Sequence, residues 1–474
     1  VREFGMKRAV NTDPLATDEH QSAASQQQEE LYAQTIAPYG TFRLQHGCTL
    51  VAFLLPIKLS LTYIVLIPLI LYWITTSLRN STPPLLPRAK LPEAAQRIAA
   101  PLCAFLLMAL VSSGAGLSLR HSSSALLSLF FFTLTIPLFA AHARTHAVCL
   151  ALIAGQSIAA LHSFIDAALP NTIPGLFLGK VTESGQLAIT IPLTLGVTLS
   201  ALRTATPATE HPVRAERWVF ITLAVIVTAT LTLLGFHGEL TLSPATLTVL
   251  AFVAAGSLLI GALKARTAPA AARQLIAIIV ISLPLLICAL LVNLKRGPWL
   301  GVLVGTSCLL LVYARRLVLP LGASAVFLAL SITPIRDRLL ASYEHFTIEG
   351  GRSTIWRIGA ELVSEYPLGI GYNNSRILRE FAPEIPPELT HFHNNLLNIT
   401  AETGWLGVMA VIWLLVAIVK SCFRDRLAPL YVAIGSAVIS WQVAGLVEYN
   451  FGDSEVTILV WVLLGLVVQR ELRG

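Results

Sequence analysis

From residue 48 onward the chain alternates apolar runs with short polar breaks, and runs of about 17 to 25 residues recur. That length matches the hydrocarbon layer of a bilayer, where a helix satisfies its own backbone groups. The runs lie near 48–78, 98–119, 123–141, 147–168, 185–202, 218–235, 244–263, 274–294, 298–314, 317–333, 404–422, 428–447 and 455–470. The first is long enough for a tight hairpin around Pro56. The pattern predicts an all-α polytopic membrane protein with 12–14 transmembrane helices. The strict two-residue alternation of a membrane barrel is absent.

One long polar stretch, 334–403, interrupts the apolar pattern and divides the membrane region 47–333 from the closing spans of 404–474. It predicts a small folded cap. Ser353 is placed to cap a helix with Ile355, Ile358 and Leu362 on one stripe, ended by Pro367-Leu368-Gly369. A short helix is predicted from Asn374 to Phe381, and a third from near His393 towards the span that follows Gly404. The segment 1–46 is polar and reads as a cytoplasmic tail, with Val1 to Gly5 looking like an appended piece before a natural start at Met6.

Composition adds to this in two ways. Hydrophobic residues are 55% of the 474, charged residues 12%, and the mean hydropathy is +0.71, which excludes a soluble domain with a polar surface. The net charge of +7 is spread over helix ends, so it reports topology and gives no nucleic-acid stripe. Alternating the spans puts 17 Lys or Arg in one set of loops (79–97, 142–146, 203–217, 264–273, 315–316, 424–426 and the C-terminus). The short loops opposite hold Lys58, Arg120, Lys180, Lys295 and Arg296. By the positive-inside rule the first set is cytoplasmic, and 334–403 lies on the other face. The six cysteines show neither disulfide nor zinc spacing and read as small buried residues.

Candidate chemistry concentrates around that polar stretch. His393 stands near a predicted helix start, where the positive end of the dipole favours a neutral ring able to accept a proton. A membrane-interface histidine that only caps or hydrogen-bonds is the alternative, and spacing does not separate the two. His391 and His393 alternate and would suit a metal in an extended segment, while on a helix His391, Asn395, Asn398 and Glu402 share a face that is either a sugar-binding lining or a solvated side. Arg296 and Arg352 offer planar donor forks that fit phosphate oxygens. Each also has a plain reading, Arg296 as a snorkelling flank and Arg352 as part of a Gly-Gly turn. Trp299, Trp356, Tyr372 and Trp405 read as interface anchors or packing, with Tyr372 and Asn373, like His391 and Asn394, further candidates for substrate contact.

Three motifs carry a family resemblance: Lys295-Arg296-Gly297-Pro298-Trp299, Gly351-Arg352 followed by Trp356, and His393-Asn394 nine residues before Gly404-Trp405-Leu406-Gly407, with Pro367 to Asn373 between them. Together they resemble the O-antigen ligase family of the ligase and polymerase superfamily. The resemblance covers the membrane scaffold loosely and residues 295–407 specifically. It implies a C-type glycosyltransferase-like helical fold in the inner membrane of a Gram-negative bacterium, with its site on the periplasmic face. The donor it implies is undecaprenyl-diphosphate-linked O-antigen, and the acceptor a sugar hydroxyl of lipid A-core. His393 falls on the family's required histidine, and Arg296 and Arg352 on its arginines; no cofactor, metal or ATP is implied. Rival readings are an O-antigen polymerase, a protein O-oligosaccharyltransferase and, from another class, a transporter or flippase. The histidine motif favours a ligase over a polymerase, and the scarcity of mid-membrane carboxylates argues against a transporter.

The topology is tested by single cysteines. Impermeant reagents applied from the non-cytoplasmic side label residues introduced at Glu349 and Glu384 and leave one at Ala208 unlabelled; the reverse pattern inverts the assignment.

Overall fold

A computed structural model describes residues 39–79, 92–168, 180–205, 278, 282–331, 333–347, 351–381 and 390–473. The predicted spans 218–235 and 244–263, the first part of 274–294 apart from residue 278, and the tail as far as residue 38 lie outside the described residues. The helices are α1 Tyr39–Leu54, α2 Leu59–Arg79, α3 Glu93–Ala115, α4 Leu119–Thr133, α5 Thr135–His142, α6 Thr145–Ala168, α7 Lys180–Ala205 and α8 Leu283–Val292. They continue as α9 Arg296–Tyr313, α10 Val318–Ser331, α11 Thr333–Thr347, α12 Arg352–Glu365, α13 Asn395–Arg424, α14 Pro429–Ala444 and α15 Ser454–Arg473. No strand occurs among the described residues, and seven helices, counting α4 and α5 as one, are long and apolar enough to cross a membrane. The chain is an all-α polytopic membrane protein.

Prolines and glycines explain where the predicted spans break. The first run divides around Pro56 into α1 and α2, and α1 starts at Tyr39, inside the segment assigned to the tail. The α4–α5 break falls at Thr133 and Leu134, four residues before Pro137, whose ring excludes the carbonyl of Thr133. Four cysteines are buried as expected, Cys308 is half-buried, and Cys103 departs from the expectation by being exposed on α3.

The centre of the bundle is α7, α14 and α15, helices buried on nearly every side. Lipid offers apolar side chains as good an environment as protein does, so close backbone approach through small residues holds such helices together. Gly297, Gly301 and Gly305 line one face of α9 against α14. A Cβ on Gly305 would meet Ser436 O at 2.7 Å, and one on Gly301 would meet Ser440 O and Ala444. At one end of the bundle Gln469 of α15 donates to the carbonyls of Phe139, Ala140 and Ala143 at 3.4, 3.2 and 2.7 Å, satisfying the open end of α5. That end also gathers Arg144, Arg424, Arg426 and Arg470, through Thr145 on Gln469, Arg424 on Glu471, Tyr313 on Arg426 and Arg470 on Asp425. The described basic loops therefore share one end.

The opposite end carries the cap. There α13 is broken at Gly404, which has φ 73°, and the break frees the carbonyls of Ala401 and Glu402. The Pro367–Gly371 turn supplies the missing donors: Ile370 N–H to Ala401 O at 2.8 Å and Gly371 N–H to Glu402 O at 3.1 Å, while Trp405 N–H donates to Pro367 O at 3.3 Å. Leu117 N–H, at the end of α3, donates to Ile370 O at 2.8 Å and joins the turn to the bundle. A Cβ at Gly404 would strike Leu368 Cα at 2.8 Å in addition to Pro367 O.

Gly404→Ala is therefore expected to lower stability by about 1–3 kcal/mol through the left-handed φ alone, with the clash in addition. Thermal unfolding of the detergent-solubilised protein measures it; an unchanged melting temperature would mean that the break tolerates a side chain.

Candidate functional site

The cap brings the three motifs to the same end of the bundle. The third predicted helix begins at Asn395, with the Asn394 side chain accepting the Leu397 N–H at 3.0 Å as its cap. His393 thus stands just ahead of the helix, outside it, with a left-handed φ of 49°. Such a φ in a non-glycine residue costs about 1–3 kcal/mol and persists only where its surroundings hold it. Its ring packs edge-on to that of His391, centroids 4.2 Å apart, and His391 lies 5.4 Å from the ring of Tyr449.

The group that organises this cluster is Glu448, in the connection between α14 and α15. Asn395 fastens that connection to the histidine segment. Its N–H donates to Gly445 O at 2.6 Å, its side-chain amide donates to Asn450 at 2.8 Å, and its side-chain oxygen accepts the N–H groups of Asn450 and Phe451 at 3.1 Å each. Asn394 adds a bond from its side-chain amide to Leu446 O at 3.0 Å. Glu448 is thereby held with Oε1 2.9 Å from Arg352 Nη2 and Oε2 3.7 Å from His393 Nδ1. The second distance is too long for a hydrogen bond and is an electrostatic contact. The charge that the His393 ring faces is this carboxylate. Burial pushes Glu448 up, but the His393 contact, the Arg352 guanidinium and Lys295 outweigh it and hold the carboxyl below its usual range.

The two arginines reach this place from different elements. Arg352 opens α12, and Trp356, one turn on, shares its face and donates from Nε1 to Phe392 O at 3.0 Å. The spacing of the Gly-Arg-x-x-x-Trp motif therefore sets an ion pair and a tie to the histidine segment side by side. Gly351, not Ser353, is the N-cap, because Ser353 already lies within the first turn. Arg296 opens α9, and its Nη1 bonds to Arg338 O at 3.1 Å and to the Ser342 hydroxyl, both on α11. Arg338 Nε in turn donates to Leu294 O at 3.4 Å. A Cβ on Gly297 would come within 3.4 Å of Glu448 Cγ, so the start of α9 adjoins the carboxylate, and Arg296 feels the charges of Arg338, Arg352 and Glu448.

Other candidates fall elsewhere in the cap. Tyr372 and Asn373 belong to the docking turn: Tyr372 N–H donates to Ser113 Oγ at 3.2 Å, burial pushes the Tyr372 hydroxyl up, and Asn373 takes a left-handed φ of 63° before the 3₁₀ turn Asn374–Ile377. That turn continues into Leu378–Phe381, matching the predicted short helix. Asn395, Asn398 and Glu402 do share a helix face, but the face is buried. Asn398 accepts Phe392 N–H at 3.1 Å and Glu402 accepts the Ser375 hydroxyl at 2.5 Å. They hold the cap together and present neither a lining nor a solvated side. His391 lies before the helix and uses Nδ1 to accept the His393 N–H at 3.2 Å. Sequence reasoning missed Glu448; the only signal it offers is a carboxylate in the short polar break between the last two spans.

An imidazole, a carboxylate and two guanidinium groups thus gather at one end of a polytopic membrane bundle. Residues 281–412 match the family model described as O-antigen ligase, so this part of the chain is similar to that family. No curated protein matches it. The matched segment contains Arg296, Arg352, His391 and His393 and stops short of Glu448.

Because Glu448 is held below its ordinary value of 4.5, its pairing contributes fully above that pH and is lost as pH falls through the lower folded value. Glu448→Gln is expected to reduce stability at neutral pH by about 1–2 kcal/mol, by leaving Arg352 half-buried and unpaired, and to remove that acid step. Melting temperatures of both proteins from pH 8 down to pH 3 test this. Superimposable curves would mean that the ion pair does not form.

Proposed function

We propose that the protein transfers undecaprenyl-diphosphate-linked O-antigen to a sugar hydroxyl of lipid A-core, at the periplasmic face of the inner membrane. The observation that carries this reading is the convergence of Arg352 and His393 on Glu448, beside Arg296. Glu448 faces Nδ1 of His393, which favours the tautomer with the proton on that nitrogen and leaves Nε2 as the acceptor. Nε2 takes the proton of the sugar hydroxyl as its oxygen attacks the anomeric carbon. The bond from that carbon to the diphosphate oxygen breaks, and the electron pair leaves with the diphosphate. A single displacement of this kind inverts the anomeric centre. The carboxylate then stabilises the imidazolium that forms.

Arg352 uses one nitrogen for Glu448, and Arg296 uses one for α11, so each fork keeps further N–H donors for phosphate oxygens. Diphosphate is already a good leaving group, so the reading needs no ATP and no metal. Membrane lipids surround the bundle, and nucleic acid has no part in the reaction. His391, Tyr372, Asn373 and Asn394 are assigned to shaping the cap around this chemistry.

The test is transfer by the purified protein from a polyprenyl-diphosphate glycan to lipid A-core, with the products separated. His393→Ala is expected to slow transfer by about 10²–10⁴-fold while leaving the protein folded. Arg296→Ala and Arg352→Ala weaken the use of donor, and lysine at either position rescues in part, since it lacks the bidentate fork. Near-normal transfer by His393→Ala would remove the base assignment, and full activity of both arginine variants would remove the diphosphate clamp. Elongation of the lipid-linked glycan in place of transfer to lipid A-core would identify a polymerase.

A further inference from the structure

We propose that His391 is a positioning residue that sets the backbone and ring of His393 through its Nδ1 lone pair and does not itself bind substrate. The inference rests on the reading of His393 as general base. The His393 N–H donates to His391 Nδ1 at 3.2 Å, a side chain at position i accepting from the backbone of i+2. This closes the ring that an Asn or Asp side chain closes in an Asx-turn. It does so on the residue that carries the left-handed φ of 49°, where the chain has least tendency to stay unaided. The His391 ring is itself wedged between the His393 ring and that of Tyr449, 4.2 and 5.4 Å away, and Tyr449 is the neighbour of Glu448. One imidazole thus braces the proposed base against the segment that carries its carboxylate.

The tie requires a neutral ring, because an imidazolium donates from both nitrogens and has no lone pair for the N–H. Burial, with His393 next and Arg376 and Arg352 adding to it, pushes His391 down to about 4 against the pull of Glu448, so the lone pair is kept at neutral pH. A neutral His391 also adds no repulsive charge when His393 takes up a proton.

Two conservative replacements separate positioning from substrate contact. Asparagine places its side-chain oxygen close to the position of Nδ1 and can close the same turn, whereas glutamine reaches towards the position of Nε2. Steady-state transfer by the full-length protein in nanodiscs, with a polyprenyl-diphosphate glycan and lipid A-core, reads both. His391→Gln and His391→Ala are expected to lose about 10- to 100-fold in kcat, the scale of a small misplacement of a reacting group, with the KM for lipid A-core unchanged. His391→Asn is expected to retain most of kcat. A raised acceptor KM rescued by glutamine and not by asparagine would overturn the proposal in favour of substrate contact, and so would equal kcat in the asparagine and glutamine variants. If His391→Ala melts at a lower temperature, the comparison of the asparagine and glutamine variants at matched melting temperature still decides. His393→Ala, measured alongside, distinguishes failure of this inference from failure of the base assignment, since full activity there removes the base whatever His391 does.

Discussion

The hydrogen bonds of Asn395 are the constraint on which the site geometry depends. One buried residue satisfies the backbone of Gly445, Asn450 and Phe451, and none of these groups has water to fall back on. An unpaired buried polar group costs about 1–3 kcal/mol, so the histidine segment and the α14–α15 connection gain their order together. Glu448 lies inside the span that Asn395 fastens, and His393 two residues before it. Their proximity follows from a clasp that takes no part in the proposed chemistry.

Charge at this end is arranged around a single hub. Arg352 and Glu448 are both largely buried, with side-chain exposures of 24% and 19%, and removing either would leave the other without its compensating partner. Lys295, Arg296 and Arg338 stand close by, so several cations gather around this carboxylate. On the proposed function, such a cluster suits an anionic ligand while keeping a negative charge against the imidazole. The small faces of α9 make this possible: with Gly297, Gly301 and Gly305 the helix approaches α14 closely enough to deliver Arg296 beside the connection that carries Glu448.

The cap is fixed to the membrane bundle by backbone. Breaking α13 at Gly404 opens carbonyls that the Pro367–Gly371 turn fills, and the same turn bonds to the end of α3. The motif of alternating glycines in that stretch is accounted for by this docking: Gly369 and Gly371 take φ of 89° and 102°, and side chains there would collide with Glu402 O and with Asn374.

The sequence by itself determined the helical membrane fold, because run length and hydropathy answer directly to bilayer thickness and to backbone hydrogen bonding in lipid. It also determined the short helix at Asn374–Phe381, the helix after the histidines and the grouping of His393, Arg352 and Arg296 in one region, since local spacing and motif carry those. Tertiary structure alone decided the rest. Ser353 gave way to Gly351 as cap, and Asn395, Asn398 and Glu402 turned from a surface face into buried ties, because neighbouring segments supplied their partners. Glu448 entered from 55 residues beyond His393 by way of two intervening helices. No periodicity encodes such a contact; it exists only once glycine-lined helices have packed and an asparagine has closed two loops on each other.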